Sequence, residues 1–196
     1  DPLWSRGLGD VYKRQGWTRA NSSPPPVRRS RTCPVPFFCQ SAGWRGEKNL
    51  DAFLSLDLPG SKVVVGAGPD EARLKKRFPQ AVFLGMQKDD ALPAFYGAAD
   101  VFVFPSLTDT FGLVMLEAMA CGTPVAAFRS EAPLAVVAQG VTGILDDDLA
   151  HACRAALPLD RHAVREHALT RSWDSVASDL LACLLYTSPS PRDQRG

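Results

Sequence analysis

Long apolar runs and paired cysteines are both missing from this sequence of 196 residues. No apolar stretch approaches the roughly 20 residues that a membrane-spanning helix needs, so we expect no transmembrane segment. The five cysteines are odd in number and include no Cys-x-x-Cys spacing, which argues against a disulfide framework and against a zinc site. Unpaired cysteines are typical of reducing compartments, and the sequence therefore predicts a cytoplasmic protein.

Acidic residues are absent between residues 11 and 46, and within 16–46 five arginines and five prolines accumulate. The remainder, 47–184, has the opposite balance: 12 Lys and Arg stand against 18 Asp and Glu, a net charge of −6. Nucleic-acid binding needs clustered basic side chains, so the acidic region predicts no nucleic-acid partner. The apolar fraction of 45% is enough for the core of one α/β domain.

The two ends of the chain show neither helical nor strand periodicity. Residues 1–15 and 185–196 are turn-rich and basic, and they resemble translated read-through of sequencing adapters. Ordinary disordered tails are the alternative interpretation. We exclude both ends from the fold and predict a folded domain over 47–184. Residues 16–46 are interpreted either as a basic, proline-rich linker or as a stretch translated in the wrong frame.

Beyond residue 47, short apolar runs alternate with segments of helical spacing. The runs are bounded by Gly or Pro and are apolar on both alternating faces, as in buried parallel strands; they occupy 62–66, 82–85, 101–105 and 123–128. Helices are predicted over 49–56, 70–78, 89–98, 113–121, 131–138, 147–157, 160–169 and 173–184. This alternation predicts an α/β fold, a Rossmann-like doubly wound parallel sheet.

One segment, PSLTDTFGLVMLEAMACGTPV at residues 105–125, combines acidic side chains with the start of a helix. It follows a predicted strand, so its first loop lies at the carboxyl edge of the sheet, where open α/β folds bind ligands. Backbone N–H groups at residues 111–113 favour an anion such as phosphate. Carboxylates beside a phosphate would accept hydrogen bonds from sugar hydroxyls, so Asp109 and Glu117 are candidate sugar-binding residues. The alternatives are a simple helix cap for Asp109 and a solvated helix position for Glu117.

The string D-T-F-G-x4-E-A-M-A-x-G-x-P-V in this segment resembles the signature of glycosyltransferase family 4, whose members are retaining enzymes of the GT-B fold. The resemblance implies that Glu117 accepts from the ribose hydroxyls of a nucleotide-sugar donor and that Asp109 accepts from hydroxyls of the transferred sugar. Asp109 stands where the family more often has Glu. Backbone N–H groups of Phe111, Gly112 and Leu113 would meet the diphosphate or the sugar.

The resemblance implies further donor contacts outside that string. Lys48 falls at the position of a lysine that clamps the donor diphosphate, together with an arginine five residues upstream, where this chain has Gly43. Gly66 would border the nucleotide, and Gly85 and Met86 would frame the base through backbone contacts. Taken alone, Lys48 is typical of a surface helix start, and Gly66 of a tight turn after a strand.

A shifted reading frame would restore the missing arginine. Codons permitted for residues 40–45 read Val-Gly-Arg-Val-Ala in the alternate frame. The same shift over residues 15–18 gives Gly-Val-Asp, which resembles the start of the family's second domain. We hypothesise that one insertion or deletion near residues 45–47 displaced the frame before it. On this hypothesis the chain lacks both the clamp arginine and the first strand of the sheet.

The resemblance predicts the donor-binding domain of a hexosyltransferase, with the acceptor domain missing and the chain alone inactive. It implies a nucleoside-diphosphate sugar as donor substrate, no cofactor and no metal. A lipid or saccharide acceptor would be bound through the missing N-terminal domain, and the full-length enzyme would be cytoplasmic or peripheral to a membrane. The wording of residues 108–112 is similar to that of mannosyl and other hexosyl transferases. Two alternatives stay open: a nucleoside-diphosphate-sugar epimerase of GT-B architecture, and a catalytically silent nucleotide-binding or interaction module.

The remaining titratable side chains are interpreted as structural. His151, His162 and His167 show no ligand spacing and are predicted at the surface. Cys121 is predicted to be a small packing residue. The acidic run 146–148 is predicted to cap a helix rather than to bind a metal.

Overall fold

The computed structural model describes residues 36–40, 48–88, 91–109 and 112–170. The strands in these ranges are β1 (Pro36–Gln40), β2 (Ser61–Val65), β3 (Val82–Phe83), β4 (Val101–Phe104), β5 (Val125–Ala127) and β6 (Gly143–Leu145). The helices are α1 (Leu50–Ser55), α2 (Glu71–Arg77), α3 (Leu92–Ala98), α4 (Leu113–Ala120), α5 (Glu131–Val136), α6 (Leu149–Ala156) and α7 (Arg161–Thr170). Within the same ranges, no helix is both long and apolar enough to cross a membrane.

The strands form one parallel sheet in the order β3-β2-β1-β4-β5-β6. This is the order of the doubly wound Rossmann sheet, so the predicted fold class is confirmed. The order reverses between β1 and β4, where Phe37 lies between Lys62 of β2 and Val101 of β4. Parallel strands bring their carboxyl ends to one edge, and open α/β sheets bind ligands at that edge, in the crevice where the strand order reverses.

Two apolar clusters cover the two faces of the sheet. Along β4, Val101 and Val103 pack on one face with α1, α2 and α6, while Phe102 and Phe104 pack on the other with α3, α4, α5 and α7. All four side chains are buried, as a continuous VFVF run predicts for a strand covered on both sides. Cys121 is also buried, and burial raises the pKa of its thiol to about 12, which confirms its predicted packing role.

The central strand β1 corrects the prediction that the chain lacks the first strand of its sheet. Residues 36–40 pair with all five residues of β2 and with two residues of β4. The aromatic pair in PFFCQ favours an extended strand, and Pro36 is tolerated because it comes first in that strand. The expectation that this part of the chain, residues 16–46, contains no strand is therefore wrong at 36–40. The rest of that segment lies outside the described residues, and the frameshift itself stays a hypothesis.

Two further elements differ from the prediction. Strand β6 was not predicted, because only two apolar residues, Ile144 and Leu145, stand between Gly143 and the acidic run 146–148. The predicted strand at 82–85 ends at Phe83, although the N–H of Leu84 still donates to the carbonyl oxygen of Val64 at 3.0 Å. The predicted helix at 173–184 and the two ends at 1–15 and 185–196 lie outside the described residues.

At the opposite, amino edge of the sheet, Arg161 of α7 connects the segments that precede β4 and β5. Its guanidinium donates to the carbonyl oxygens of Gly97 at 2.8 Å and of Ala99 at 2.6 Å. It also donates to the hydroxyl of Thr123 at 3.1 Å, and that hydroxyl donates to the carbonyl oxygen of Tyr96 at 2.6 Å. Arg161 therefore ties α7 to the end of α3 and to the turn before β5.

We expect Gly143→Ala to destabilise the fold. A Cβ at this position would lie 2.3 Å from the carbonyl oxygen of Val125 and 2.9 Å from Cγ1 of Val137. The backbone of Val125 is held in the pairing of β5 with β6, so it cannot move without loss of that pairing. The free energy of unfolding should fall by about 2 kcal/mol or more, as measured by urea denaturation of the full chain.

Gly140→Ala is the matched control for this variant. Its added methyl group would meet nothing within 4 Å, but the φ of 77° is strained for any L residue. That strain alone should lower stability by about 1 kcal/mol. Equal losses in the two variants would contradict the close approach of β6 to β5.

Candidate functional site

The candidate site lies at the carboxyl edge of the sheet, beside the reversal of strand order. The chain leaving β1 reaches Lys48 just before α1, and the chain leaving β4 continues through residues 105–109 toward α4. Since β1 and β4 are neighbours, the strand order reverses between them, and Lys48 and residues 105–109 are placed beside that reversal. The loops after β2 and β3 bring Gly66 and Gly85 to the same edge.

Lys48 and Asp109 form an ion pair at this crevice. The Lys48 Nζ donates to Asp109 Oδ1 at 2.5 Å, although the two residues are 61 positions apart in the chain. Each side chain is 25% exposed, so both charged groups can be reached from solvent. Partly exposed ion pairs are weak. Lys48 can therefore exchange Asp109 for a negatively charged group of a ligand, and Asp109 can exchange Lys48 for a positively charged one.

Asn49 anchors the backbone beside this pair. Its φ of 51° and ψ of 36° lie in the left-handed region, which Asn tolerates better than most residues. Its Nδ2 donates to the carbonyl oxygen of Pro105 at 3.2 Å. Lys48 and Asn49 thus join the segment after β1 to the loop after β4 through two separate contacts. Sequence reasoning missed Asn49, for which the only signal was its position next to Lys48.

Helix α4 begins at Leu113, and Gly112 is its N-cap. The φ of Gly112 is 69°, a left-handed conformation that favours glycine over residues with a side chain. The first N–H groups of an α-helix have no acceptor within the helix, and Leu113 is half exposed at this end. Phe111, a predicted member of the same N–H group, lies outside the described residues.

The position of this cap decides between the two interpretations of Asp109. Asp109 precedes the N-cap residue Gly112 by three positions, and its carboxylate contacts Lys48. The interpretation of Asp109 as a simple helix cap is therefore wrong. Its side chain is held at the crevice by a charged partner from another loop.

Glu117 lies about one turn into α4 and contacts a buried tyrosine. Tyr96 of α3 is 0% exposed, and its hydroxyl donates to Glu117 Oε2 at 2.9 Å. Glu117 is itself half-buried, so the alternative of a freely solvated helix residue is wrong. Sequence reasoning gave Tyr96 no role. The available signal was a tyrosine on the apolar face of a helix, because a buried phenol needs a hydrogen-bond partner.

The loops after β2 and β3 meet at two predicted glycines. The N–H of Gly66 donates to the carbonyl oxygen of Gly85 at 2.8 Å. A Cβ on Gly85 would meet nothing within 4 Å, so the space beside it is open. The adjacent Met86 is 65% exposed. The structure therefore brings Gly66 and Gly85 together, with an exposed apolar side chain next to them.

Titratable side chains beyond the crevice have mostly structural surroundings. Asp148 accepts hydrogen bonds from two N–H groups of α6 and caps that helix, as predicted. The pKa of Asp146 is lowered, first by the hydrogen bond that its carboxylate accepts from the N–H of Asp148 and second by the neighbouring His151. His162 is exposed, whereas His167 is half-buried, which corrects its predicted surface position. In the part of the chain that the structure describes, no group of three or more His, Cys, Asp or Glu could hold a metal ion.

The fold and the site define an open α/β domain of the Rossmann type with an accessible ion pair at its ligand-binding crevice. A family model described as glycosyl transferases group 1 matches residues 57–158, half of the chain. The chain therefore belongs to the group 1 glycosyltransferase family.

Two curated relatives support this family assignment, and one solved structure shares the fold. The chain is 37% identical over 149 residues to a D-inositol 3-phosphate glycosyltransferase from Mycolicibacterium paratuberculosis, covering 64% of this chain and 34% of the relative. It is 38% identical over 130 residues to a GDP-mannose-dependent alpha-mannosyltransferase from Mycolicibacterium smegmatis, covering 61% and 34%. A solved sucrose-phosphate synthase from Thermosynechococcus elongatus shares the fold, with a TM-score of 0.62 and 24% identity over 92% of this chain and 49% of that one. The chain thus spans about a third of the length of the two curated relatives.

We expect the Lys48–Asp109 pair to contribute little to folding stability. Partly exposed ion pairs typically contribute about 0.2–1 kcal/mol, because solvent screens the charges. A double-mutant cycle with Lys48→Met and Asp109→Asn, measured by urea denaturation, should give a coupling energy below about 1 kcal/mol.

The pair of Lys75 and Glu71 is the matched control for this cycle. It is a partly exposed lysine–carboxylate pair within α2 at 2.7 Å, and it should give a coupling energy in the same range. A coupling of several kcal/mol for Lys48–Asp109 alone would show that the pair is a structural bridge. It would then be unsuited to exchange with a ligand.

Proposed function

We propose that this chain is the donor-binding domain of a glycosyltransferase. The reaction moves a hexosyl unit from a nucleoside-diphosphate sugar to a hydroxyl acceptor with retention of the anomeric configuration. The observation that carries the proposal is the accessible ion pair of Lys48 and Asp109 at the switch point, in a member of the group 1 glycosyltransferase family. This pair offers one cation and one anion where Rossmann sheets bind nucleotides.

In this proposal the diphosphate takes the place of Asp109 as the partner of Lys48. The Lys48 ammonium is a compact charge on a flexible stem, and it needs only a change of side-chain torsion to meet a phosphate oxygen. The N–H groups that start α4 at Leu113 supply further donors and the positive end of the helix dipole. Gly112 is compatible with close approach of the ligand, because it adds no side chain there.

The two carboxylates bind the hydroxyl-bearing parts of the donor. Asp109, once released from Lys48, accepts from hydroxyls of the transferred sugar, and Glu117 accepts from the ribose hydroxyls. Ionised carboxylates are acceptors only, so they suit hydroxyl groups and repel phosphate. The two residues therefore hold sugar and ribose on either side of the diphosphate.

The nucleoside end of the donor lies at the loops after β2 and β3. Gly66 is buried and donates its N–H to the carbonyl oxygen of Gly85, whereas the space beside Gly85 itself is open. The exposed side chain of Met86 offers an apolar surface for the base. The loops after β2 and β3 are joined by a hydrogen bond of 2.8 Å between Gly66 and Gly85. Their backbone groups would contact the edge of the nucleotide base.

The transfer breaks the bond between the anomeric carbon and the diphosphate oxygen. A bond from the same carbon to the acceptor oxygen forms, and the proton of the acceptor hydroxyl passes to the departing diphosphate oxygen. Negative charge grows on the departing nucleoside diphosphate, and Lys48 with the start of α4 stabilises it. These groups supply the positive charge that the departing group needs, so the proposal includes no metal ion and no cofactor.

The acceptor is held, on this proposal, by a second domain that these 196 residues do not include. The chain spans about a third of its curated relatives, so the reaction needs groups beyond the donor site described above. We therefore propose that the chain alone binds donor without transfer. Hexosyl donors are favoured, since the relatives include an enzyme named for GDP-mannose.

We expect the full chain to bind a nucleoside diphosphate through Lys48. Titration calorimetry with UDP, GDP and ADP identifies the base. Lys48→Met should weaken binding of the preferred nucleotide by about tenfold or more, because it removes a charge-assisted contact to phosphate. Lys76→Met is the matched control, because Lys76 is an exposed lysine of α2 that lies outside the crevice. Its affinity should equal that of the unaltered chain.

Asp109→Asn should not weaken the binding of the same nucleotide. This substitution removes the carboxylate that competes with the diphosphate for Lys48, so we expect nucleoside diphosphate to bind as tightly as in the unaltered chain or up to about tenfold more tightly. Weaker binding would contradict the exchange of partners. Affinity that is insensitive to both Lys48→Met and Glu117→Ala would instead favour a silent interaction module.

A further inference from the structure

We infer that Tyr96 is a positioning residue for Glu117, orienting through its buried hydroxyl the carboxylate that receives the ribose of the donor. The inference rests on the proposed function and adds a residue that need not touch the ligand. Its basis is the hydrogen bond from the Tyr96 hydroxyl to Glu117 Oε2 at 2.9 Å, which joins α3 to α4.

Tyr96 is held in place by contacts that do not involve Glu117. Its ring is fully buried and meets the ring of Phe102 edge-on, with centroids 5.5 Å apart and an interplanar angle of 67°. Its carbonyl oxygen accepts from the hydroxyl of Thr123 at 2.6 Å and from the N–H of Ala99 at 3.1 Å. The ring and the backbone are thus both anchored in the core. The hydroxyl therefore approaches Glu117 from a fixed point.

A fixed donor restricts a side chain that otherwise has many rotamers. Glu117 is half-buried, and a long carboxylate on a helix samples several conformations unless a contact selects one. A contact that selects the binding conformation before the ligand arrives removes an ordering cost from binding. A carboxylate can accept about four hydrogen bonds, so acceptance from Tyr96 is compatible with acceptance from a ribose diol.

A purely structural role is the competing explanation, because a buried phenol needs a partner wherever it lies. The two explanations predict different responses to the ligand. Loss of a structural contact lowers the free energy of unfolding without changing which ligand is preferred. Loss of positioning reduces the preference of the site for a ribonucleotide over its 2′,3′-dideoxy analogue.

Tyr96→Phe removes the hydroxyl and keeps the ring. The full chain is titrated with UDP, GDP or ADP, whichever binds most tightly, and with the 2′,3′-dideoxy analogue of that nucleotide. The Kd of the dideoxy analogue divided by the Kd of the ribonucleotide isolates the contribution of the ribose hydroxyls. We expect this ratio to fall by at least about fivefold in Tyr96→Phe. The Kd of the dideoxy analogue should stay unchanged, because it offers Glu117 no hydroxyl.

Two further variants make the test specific. In a Glu117→Gln background, Tyr96→Phe should have no additional effect on the ratio, because both substitutions act on the same contact. Thr142→Val is the matched control for a lost buried hydroxyl. Thr142 is fully buried, and its hydroxyl accepts from the N–H of Ala138 at 2.8 Å, before β6 at the amino edge of the sheet. This variant should lose stability and keep the ratio of the unaltered chain.

The outcomes separate this inference from the proposed function. If the unaltered chain prefers the ribonucleotide and Tyr96→Phe keeps that preference, the positioning role is overturned and the proposed function stands. If the unaltered chain binds both ligands equally, the ribose role of Glu117 fails and that of Tyr96 with it. If none of the three ribonucleotides binds, the proposed function and the inference fall together.

Should Tyr96→Phe fail to fold, Glu117→Asp examines the same contact. The shorter side chain withdraws the carboxylate from the Tyr96 hydroxyl by about one methylene, so we again expect the ratio to fall by at least about fivefold. An unchanged ratio in Glu117→Asp would overturn the positioning role.

Discussion

The parallel direction of all strands in one sheet is the constraint on which the rest of the molecule depends. Since each described strand points the same way, every loop that follows a strand meets the others at one edge. The reversal of order between β1 and β4 then opens a crevice at that edge. Residues that are far apart in the chain become neighbours only because of this order, as Lys48 and Asp109 show.

The charged groups at the crevice are built for exchange, and those behind it are built for rigidity. Lys48 and Asp109 are partly exposed and bind each other through flexible side chains. Tyr96, by contrast, is held in the buried core, and its hydroxyl donates a hydrogen bond to Glu117. A site with this division can release one contact to a ligand while another keeps its geometry. We regard that division as the physical basis of the donor binding that we propose for this domain.

The sequence predicted what depends on local patterns and missed what depends on pairing. The buried strand β4 was predictable because VFVF is apolar on both faces, and α4 was predictable because its apolar residues end at Gly122. Strand β1 was not, because a short run among prolines and arginines becomes a strand only beside β2 and β4. The partners of Asp109 and Glu117 were likewise hidden, since Lys48 and Tyr96 reach them from other loops and helices.

The guanidinium of Arg161 has a consequence for the order in which the domain assembles. It bonds to carbonyl oxygens that lie 62 and 64 positions earlier in the chain, so those bonds cannot form during synthesis until α7 has left the ribosome. Contacts of such long range slow folding, because a large loop must close before any of them forms. The contacts of Arg161 at the amino edge thus form only after every described strand has been synthesised. Until then the sheet of a growing chain lacks the hydrogen bonds that join α7 to the end of α3.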